Sequence, residues 1–369
     1  MFLLCDSMVT TLLIMWAIAS ILAFGGLHLT KSLGILDKPG PDVPKRPRVP
    51  TLQGIFLLLV AAVLLLLLYK PYLPVSTSSP FFILCLGIVV LALVSTWDEM
   101  EYLISKKRAV PAKVRLLVQI GVASLAFFVG AVRVESLPLM TTILPEAIQY
   151  ILTVGWFLLF INAINFFDGI YGLATGMASI WFLTTALLIG IVASFFPDIT
   201  PDKYMLLQWV QGYARVFFVV AAVYAWIEFR PRGVVRDVGT VCLWYALAYL
   251  ALLWGAKIGT VIVVLSLPLF DAIWVVVDRM RRGVNPFHGD YTHLHHRLLA
   301  LGWSRSEVRW FIWIFSLVLM TLMLLQWPDR MGKVIIFVMI ACLFFGINIY
   351  LFWIKKLPSI YRPSIIKSP

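Results

Sequence analysis

Charge is scarce in this chain: of its 369 residues only 13% are Asp, Glu, Lys or Arg, while 62% belong to the apolar set from Ala to Trp. A soluble domain carries about 25% charged and ~45–50% apolar residues, because water must wet its surface. The composition therefore excludes a soluble globular protein and a disordered chain. Cysteine is scarce too. Cys5, Cys85, Cys242 and Cys342 are scattered, three of them inside apolar runs, which excludes a disulfide framework and reads them as small packing residues. No basic residue precedes the first apolar run and no small-residue cleavage pattern follows it, so this run reads as a retained span and not as a secretory leader. A soluble domain, an internal repeat and a low-complexity linker are likewise missing.

What the chain has is apolar runs of span length. A helix crossing a bilayer needs about 20 residues. Runs cut by Pro, Gly and charge predict spans near 8–29, 52–69, 80–97, 115–132, 148–166, 171–196, 214–229, 238–254, 257–277, 309–326 and 333–354. The expected architecture is an all-α integral membrane protein, a single transmembrane domain over 1–369 with about 11 helices. Joining the two runs across Gly255-Ala256-Lys257 would give ten. Lys and Arg collect in alternate loops, among them Lys45, Arg46 and Arg48, Lys106 to Arg108, and Arg279 to Arg282. By the positive-inside bias, the N-terminus is expected outside and the C-terminus in the cytoplasm, with cytoplasmic loops about 30–51, 98–114, 230–237 and 279–308. The net charge of +12 then sits mostly on one membrane face, facing lipid head groups or anionic substrates, and calls for no nucleic acid.

The acids are more informative, because a carboxylate in lipid is costly and is retained mainly for function. Asp98, Glu99 and Glu101 close the third expected span, Asp237 opens the eighth, Asp271 and Asp278 close the ninth, and Asp168 lies in a segment NAINFFDG. All are expected near the cytoplasmic face, as a hard divalent cation held between carboxylates and phosphate oxygens would require. Asn162, Asn165 and Asp168, three apart, could share one cleft on a helix, with Gly169 and Gly172 letting a substrate or another backbone approach. A plain Asn and Gly packing seam is the other reading. Four of the five histidines fall within nine residues, in PFHGDYTHLHHRL from Pro286. Beside Arg297, His293, His295 and His296 could donate hydrogen bonds to diphosphate oxygens; a zinc site or a solvated loop are the alternatives.

In chain order, DKPGPDVPKRPRVPTLQG, WDEM, NAINFFDGIYGLATG, RDVGT, PLFDAIWVVVDRMRRGVNPF and HLHHRLLALGWS resemble the motifs of the polyprenyl-phosphate N-acetylhexosamine-1-phosphate transferases, over about residues 34–310. The resemblance implies transfer of a hexosamine 1-phosphate from a UDP-sugar to a polyprenyl phosphate, with release of UMP. The histidine segment is more similar to the branch using UDP-N-acetylhexosamines than to the branch using the peptidoglycan pentapeptide precursor. It implies Mg²⁺, with Mn²⁺ as an alternative. UDP-N-acetylhexosamine, an undecaprenyl-like phosphate and the bilayer are the implied partners, and the protein could form a homodimer.

By the same resemblance Asp237 is the metal ligand, with Asp168 beside it, and Asp98, Glu99 and Asp168 are the catalytic acids. Asn162, Asn165, Gly169, Lys45, Arg46, His293, His295, His296 and Arg297 bind substrate. The chain departs from the pattern at Glu99 and Tyr171, both aspartates in the family, at Gln53-Gly54, a glycine pair there, and at Lys45, a histidine there. A transporter using intramembrane acids and a catalytically altered family member are the alternative readings. The site is expected on the cytoplasmic face of the inner or plasma membrane.

Overall fold

Helix follows from the composition, since a backbone in lipid must satisfy its own hydrogen bonds. The computed structural model describes residues 2–37, 48–68, 80–105, 108–136, 142–165, 169–195, 200–230, 232–254, 263, 266–281, 283, 293–325 and 330–353. Lys45, Arg46, Asp168 and His288 lie outside these described residues.

The chain forms two compact units, Met1–Ile258 and Gly259–Pro369. The first holds α1 (Phe2–Ser32), β1 (Leu36–Asp37), β2 (Val49–Pro50), α2 (Gln53–Leu68), α3 (Pro80–Ser105), α4 (Ala112–Phe128), α5 (Glu146–Asn165), α6 (Leu173–Phe195), α7 (Pro201–Phe229) and α8 (Arg236–Leu253). The second holds α9 (Ser266–Arg281), α10 (Leu294–Ala300), α11 (Arg305–Leu325) and α12 (Arg330–Trp353).

Each expected span overlaps one of these helices. Six of them are long and apolar enough to cross a membrane: α1, α3, α6, α7, α8 and α11. The helices α2, α5 and α12 contain shorter apolar stretches. Two boundaries differ from expectation. Helix α7 begins at Pro201, not near 214, because Asp202, Lys203, Gln208 and Gln211 break the apolar run yet suit a helix, and Pro201 stands at its first turn. Helix α3 runs on to Ser105, so Asp98 and Glu99 sit inside it and not at its end.

In the first unit α8 is the core. Every residue from Val238 to Leu252 is buried, as expected of a helix apolar on all sides, and α2, α3, α5, α6 and α7 pack around it. Helix α2 meets α8 at a glycine crossing. A Cβ on Gly54 would lie 2.3 Å from the Gly239 nitrogen and 2.8 Å from the Val235 oxygen, so only glycine lets the two backbones touch. Helix α8 is thereby fixed in depth, and its first turn emerges beside the acidic stretch of α3.

The polar end of this unit is tied by backbone. Strands β1 and β2 pair antiparallel, Leu36 opposite Pro50 and Asp37 opposite Val49. The Val234 N–H donates to the Pro50 carbonyl at 2.9 Å, and Gln53 N–H donates back to Val234 at 3.3 Å. The buried Glu228 holds the same connection, accepting the Val235 N–H at 2.8 Å and the Thr175 hydroxyl at 2.7 Å. In the second unit, α9 packs on α12 through Phe270, whose ring lies 5.2 Å from Phe337 and 5.5 Å from Phe345, and α10 packs on α11.

Candidate active site

Adjacent residues on a helix diverge by about 100°, and α3 and α8 both use this. Asp98 turns toward Arg108. Its Oδ2 accepts from Nη1 at 2.8 Å and its Oδ1 accepts the Val110 N–H at 2.9 Å. From the first turn of α8, Asp237 presents Oδ2 to the same Arg108 nitrogen, also at 2.8 Å. Arg115 stands behind, its Nη1 3.8 Å from Asp98 and 3.7 Å from Asp237. The neighbouring residues form a second cluster. Glu99 accepts from Thr51 at 3.1 Å and lies 3.6 Å from Arg236, whose guanidinium also pairs with Asp37 of β1. Each of two guanidiniums thus serves two carboxylates. Tyr102 lies under both, its ring 5.7 Å from the Arg108 guanidinium and 5.9 Å from that of Arg236.

The electrostatics follow from this geometry. Burial disfavours the charged Arg108 guanidinium, but Asp237 and Asp98 outweigh it and raise its pKa above that of free arginine. Arg236 adopts φ 54, a left-handed conformation uncommon outside glycine. Such conformations persist where the surroundings hold them, and here Asp37 and Glu99 grip the side chain from two elements. Glu99 is itself buried, and its Oε2 has no hydrogen-bond partner among the described residues.

Two carboxylate oxygens converging on one cationic nitrogen mark a point built to hold positive charge, and oxygen donors of this kind suit Mg²⁺ or Mn²⁺. Asp98 and Asp237 therefore fit a divalent cation. They are a pair, and no group of three or more His, Cys, Asp or Glu arranged for a metal occurs among the described residues.

The second unit contains the histidine segment. Asp271 of α9 is fully buried and satisfies three donors. Its Oδ1 accepts the Leu294 N–H at 2.8 Å and Arg297 Nη2 at 2.6 Å, and its Oδ2 lies 3.0 Å from His293 Nδ1. This carboxylate gathers the first turn of α10. The His293 and His295 rings lie parallel at 6.1 Å, and His296 meets His295 at 4.0 Å. Burial, then His296, His293 and Arg297, push the pKa of His295 down to about 2, so its imidazole is neutral at working pH.

Of the residues expected to act, the structure joins Asp98 and Asp237 through Arg108, and sets Glu99 in the adjoining cluster. It gathers His293 and Arg297 on Asp271, with His295 and His296 stacked beside them. Asn162 donates to Gln119 of α4 and to the Leu158 carbonyl, both at 2.8 Å, which is a helix-packing contact. Asn165 ends α5 and Gly169 is exposed beyond it. The sequence reading did not single out Arg108, Arg115, Arg236, Asp37 or Thr51 as site residues, nor Asp271 as the anchor of the histidines. Arg236 offered one signal: it immediately precedes Asp237 and shares its helical turn.

The model of glycosyl transferase family 4 matches residues 81–255, which include Asp98, Glu99, Arg108 and Asp237. Among related sequences, the chain is 28% identical over 284 residues to the "Probable undecaprenyl-phosphate N-acetylglucosaminyl 1-phosphate transferase" of Bacillus subtilis. That match covers 74% of this chain and 72% of the relative. It is 27% identical over 318 residues to the phospho-N-acetylmuramoyl-pentapeptide-transferase of Desulfotalea psychrophila, covering 77% of this chain and 82% of the relative. The decaprenyl-phosphate N-acetylglucosaminephosphotransferase of Mycobacterium tuberculosis matches at 26% over 193 residues, 47% of this chain and 46% of the relative. Its run of motifs, its helical membrane architecture and these relatives make the chain similar to glycosyl transferase family 4 and, within it, to the polyprenyl-phosphate hexosamine-1-phosphate transferases.

Proposed function

We propose that this chain transfers an N-acetylhexosamine 1-phosphate from a UDP-sugar to a polyprenyl phosphate, giving a polyprenyl-diphosphate-sugar and UMP. This would be the first membrane step of a cell-surface glycan pathway, with the site on the cytoplasmic face of the inner or plasma membrane. The observation that carries this reading is the convergence of Asp98 and Asp237 on one cationic nitrogen, at 2.8 Å each. Both substrates are anionic, so their mutual repulsion must be screened before they can react.

A lipid phosphate oxygen attacks the β-phosphorus in line. The new P–O bond forms there as the bond from that phosphorus to the bridging oxygen breaks, and UMP leaves carrying that oxygen. Asp98 and Asp237 would hold Mg²⁺ or Mn²⁺, with Asp168 as a further ligand. When bound, the ion supplies Lewis-acid stabilisation of the diphosphate charge. A phosphate monoester with a second pKa of about 6 is mostly ionised at neutral pH, so Asp98 acts chiefly by orientation and not as a base. Arg115 and Arg108 supply positive charge beside the two carboxylates, and the motif resemblance assigns Lys45 and Arg46 to substrate binding. The motif resemblance also assigns substrate binding to Asn165 and Gly169, and separately to His293 and His296. Positioning and electrostatic stabilisation supply most of the rate, as in other phosphoryl transfers.

The test incubates the detergent-purified chain with polyprenyl phosphate, Mg²⁺ and a panel of UDP-sugars, and identifies the lipid product by mass. A lipid gaining the mass of an N-acetylhexosamine phosphate, with equimolar UMP, is expected. UMP without a lipid product, or no reaction with any donor, overturns the proposal.

A further inference from the structure

We propose that Arg108 is an exchangeable counter-ion, neutralising Asp98 and Asp237 while they hold no divalent cation and leaving both carboxylates when they take one up. This rests on the reading above, in which that pair is the cation site, and adds to it a residue with a role of its own.

Three observations carry it. First, both bonds use the same atom. Arg108 Nη1 lies 2.8 Å from Asp98 Oδ2 and 2.8 Å from Asp237 Oδ2. A guanidinium bound for structure alone more often spreads its fork, two nitrogens on one carboxylate, whereas here one nitrogen sits where a single small cation would. Second, burial is graded. The Asp98 side chain is 2% exposed and that of Asp237 21%, but Arg108 is 47% exposed. Asp98 is buried and Asp237 partly so, and the guanidinium between them is the most exposed of the three, on the solvent side of the pair beside the Tyr102 ring. Third, the carboxylates have contacts besides Arg108. Asp98 retains the Val110 N–H on its other oxygen at 2.9 Å, and Arg115 remains 3.7–3.8 Å from both.

Charge favours exchange at such a site. Two carboxylates this close repel strongly when uncompensated. Arginine does not deprotonate in proteins, so it cannot vacate the position by titrating. The positive charge there can be replaced, and not simply removed. Cation uptake then frees a guanidinium at the mouth of the site, where an anionic phosphate oxygen can meet it, so that cation and anion binding reinforce each other.

The test measures Mn²⁺ alone, without either substrate, binding to the purified full chain by electron paramagnetic resonance. Removing the resident competitor should tighten binding: Arg108→Gln is expected to lower the Mn²⁺ dissociation constant about tenfold, while Arg108→Lys, which keeps the charge, stays near the parent value. A dissociation constant within about twofold of the parent in Arg108→Gln, a weaker one, or no Mn²⁺ bound by either protein overturns the inference. Should Arg108→Gln fail to fold, the unsubstituted chain decides. Phenylglyoxal modification of Arg108, read by peptide mass, should run faster with Mn²⁺ present, and an unchanged or slower rate overturns the inference. A chain that shows the exchange but makes no lipid product sinks the transferase reading alone. A chain that makes product without the exchange sinks this inference alone.

Discussion

Arg297 donates from Nη2 to Oδ1 of Asp271 at 2.6 Å, and both side chains are buried, at 3% and 0% exposure. Asp271 lies in α9 and Arg297 in α10, so this one ion pair fastens the short histidine helix to a longer one. A seven-residue helix has almost no stability of its own, and its order comes from that carboxylate.

Asp271→Ala should therefore release the histidine segment. Removing one partner of a buried pair costs about 3–5 kcal/mol, because the other charge is left uncompensated. The expected outcome is a lowered unfolding temperature in detergent together with new protease cleavage between residues 293 and 300. Arg297→Ala should do much the same, and the double variant should lose less than the two single losses added, since the residues act as one unit. Additive losses with no new cleavage would show that α10 is held elsewhere.

The carboxylates of the first unit should behave as a pair. Asp98→Asn and Asp237→Asn each preserve shape and remove charge, and each is expected to slow UMP release by about 10²–10³, the range seen when one electrostatic stabiliser is lost. The double variant should be little worse than the slower single one, because a site already missing one of its charges gains little from the other. UMP release in Mg²⁺, with folding checked by elution profile, measures both. Full turnover by Asp98→Asn would remove Asp98 from the mechanism.

Much of this was legible in the sequence, and the remainder has physical reasons for being hidden. Apolar runs marked the helices because lipid permits little else, and Asp98, Glu99 and Asp237 stood out because acids are rare in such runs. The strand pair at Leu36–Asp37 and Val49–Pro50 left no trace, since two residues show no alternation. The partners of the acids were hidden too. Arg108 follows Asp98 by ten residues and precedes Asp237 by 129, a contact made only by folding, and among 30 basic residues nothing local separates an arginine that orients the chain in a membrane from one that neutralises a site. Asp271 was visible as an acid, but its link to His293 spans 22 residues and emerges only once α10 is placed.

The crossing of α2 and α8 should tolerate no side chain at Gly54. A Cβ there meets backbone at 2.3 and 2.8 Å, and backbone cannot turn aside as a flexible side chain would. Gly54→Ala should cost about 1–3 kcal/mol, as overpacked interiors do. It should also shift the first turn of α8, lowering turnover through Asp237. Gln53→Gly offers the contrast: it leaves the crossing open but removes the Gln53 hydrogen bond to Thr30 at 2.7 Å. A larger drop in turnover for Gly54→Ala than for Gln53→Gly is expected. Equal drops would show that the crossing does not position Asp237.

Acid should loosen the histidine helix in a way traceable to one ring. His295 is held at a pKa of about 2, whereas in an unfolded chain it titrates near 6.5. Below pH 6.5 the unfolded state therefore takes up a proton that the folded state refuses, so His295 stabilises nothing by charge and costs stability as pH falls from about 6.5 toward 2. At pH 5.5 the loss is about 1.4 kcal/mol, from roughly one pH unit at ~1.36 kcal/mol per unit. Substituting His295→Asn removes the titration while keeping a polar side chain of similar reach. The measurement compares the change in unfolding temperature between pH 7.5 and 5.5 within each protein, so a general destabilisation by the substitution cancels. The parent should lose more on acidification than His295→Asn. An equal loss would mean that the ring accepts a proton in the folded protein, and that the stack with His293 and His296 opens to water.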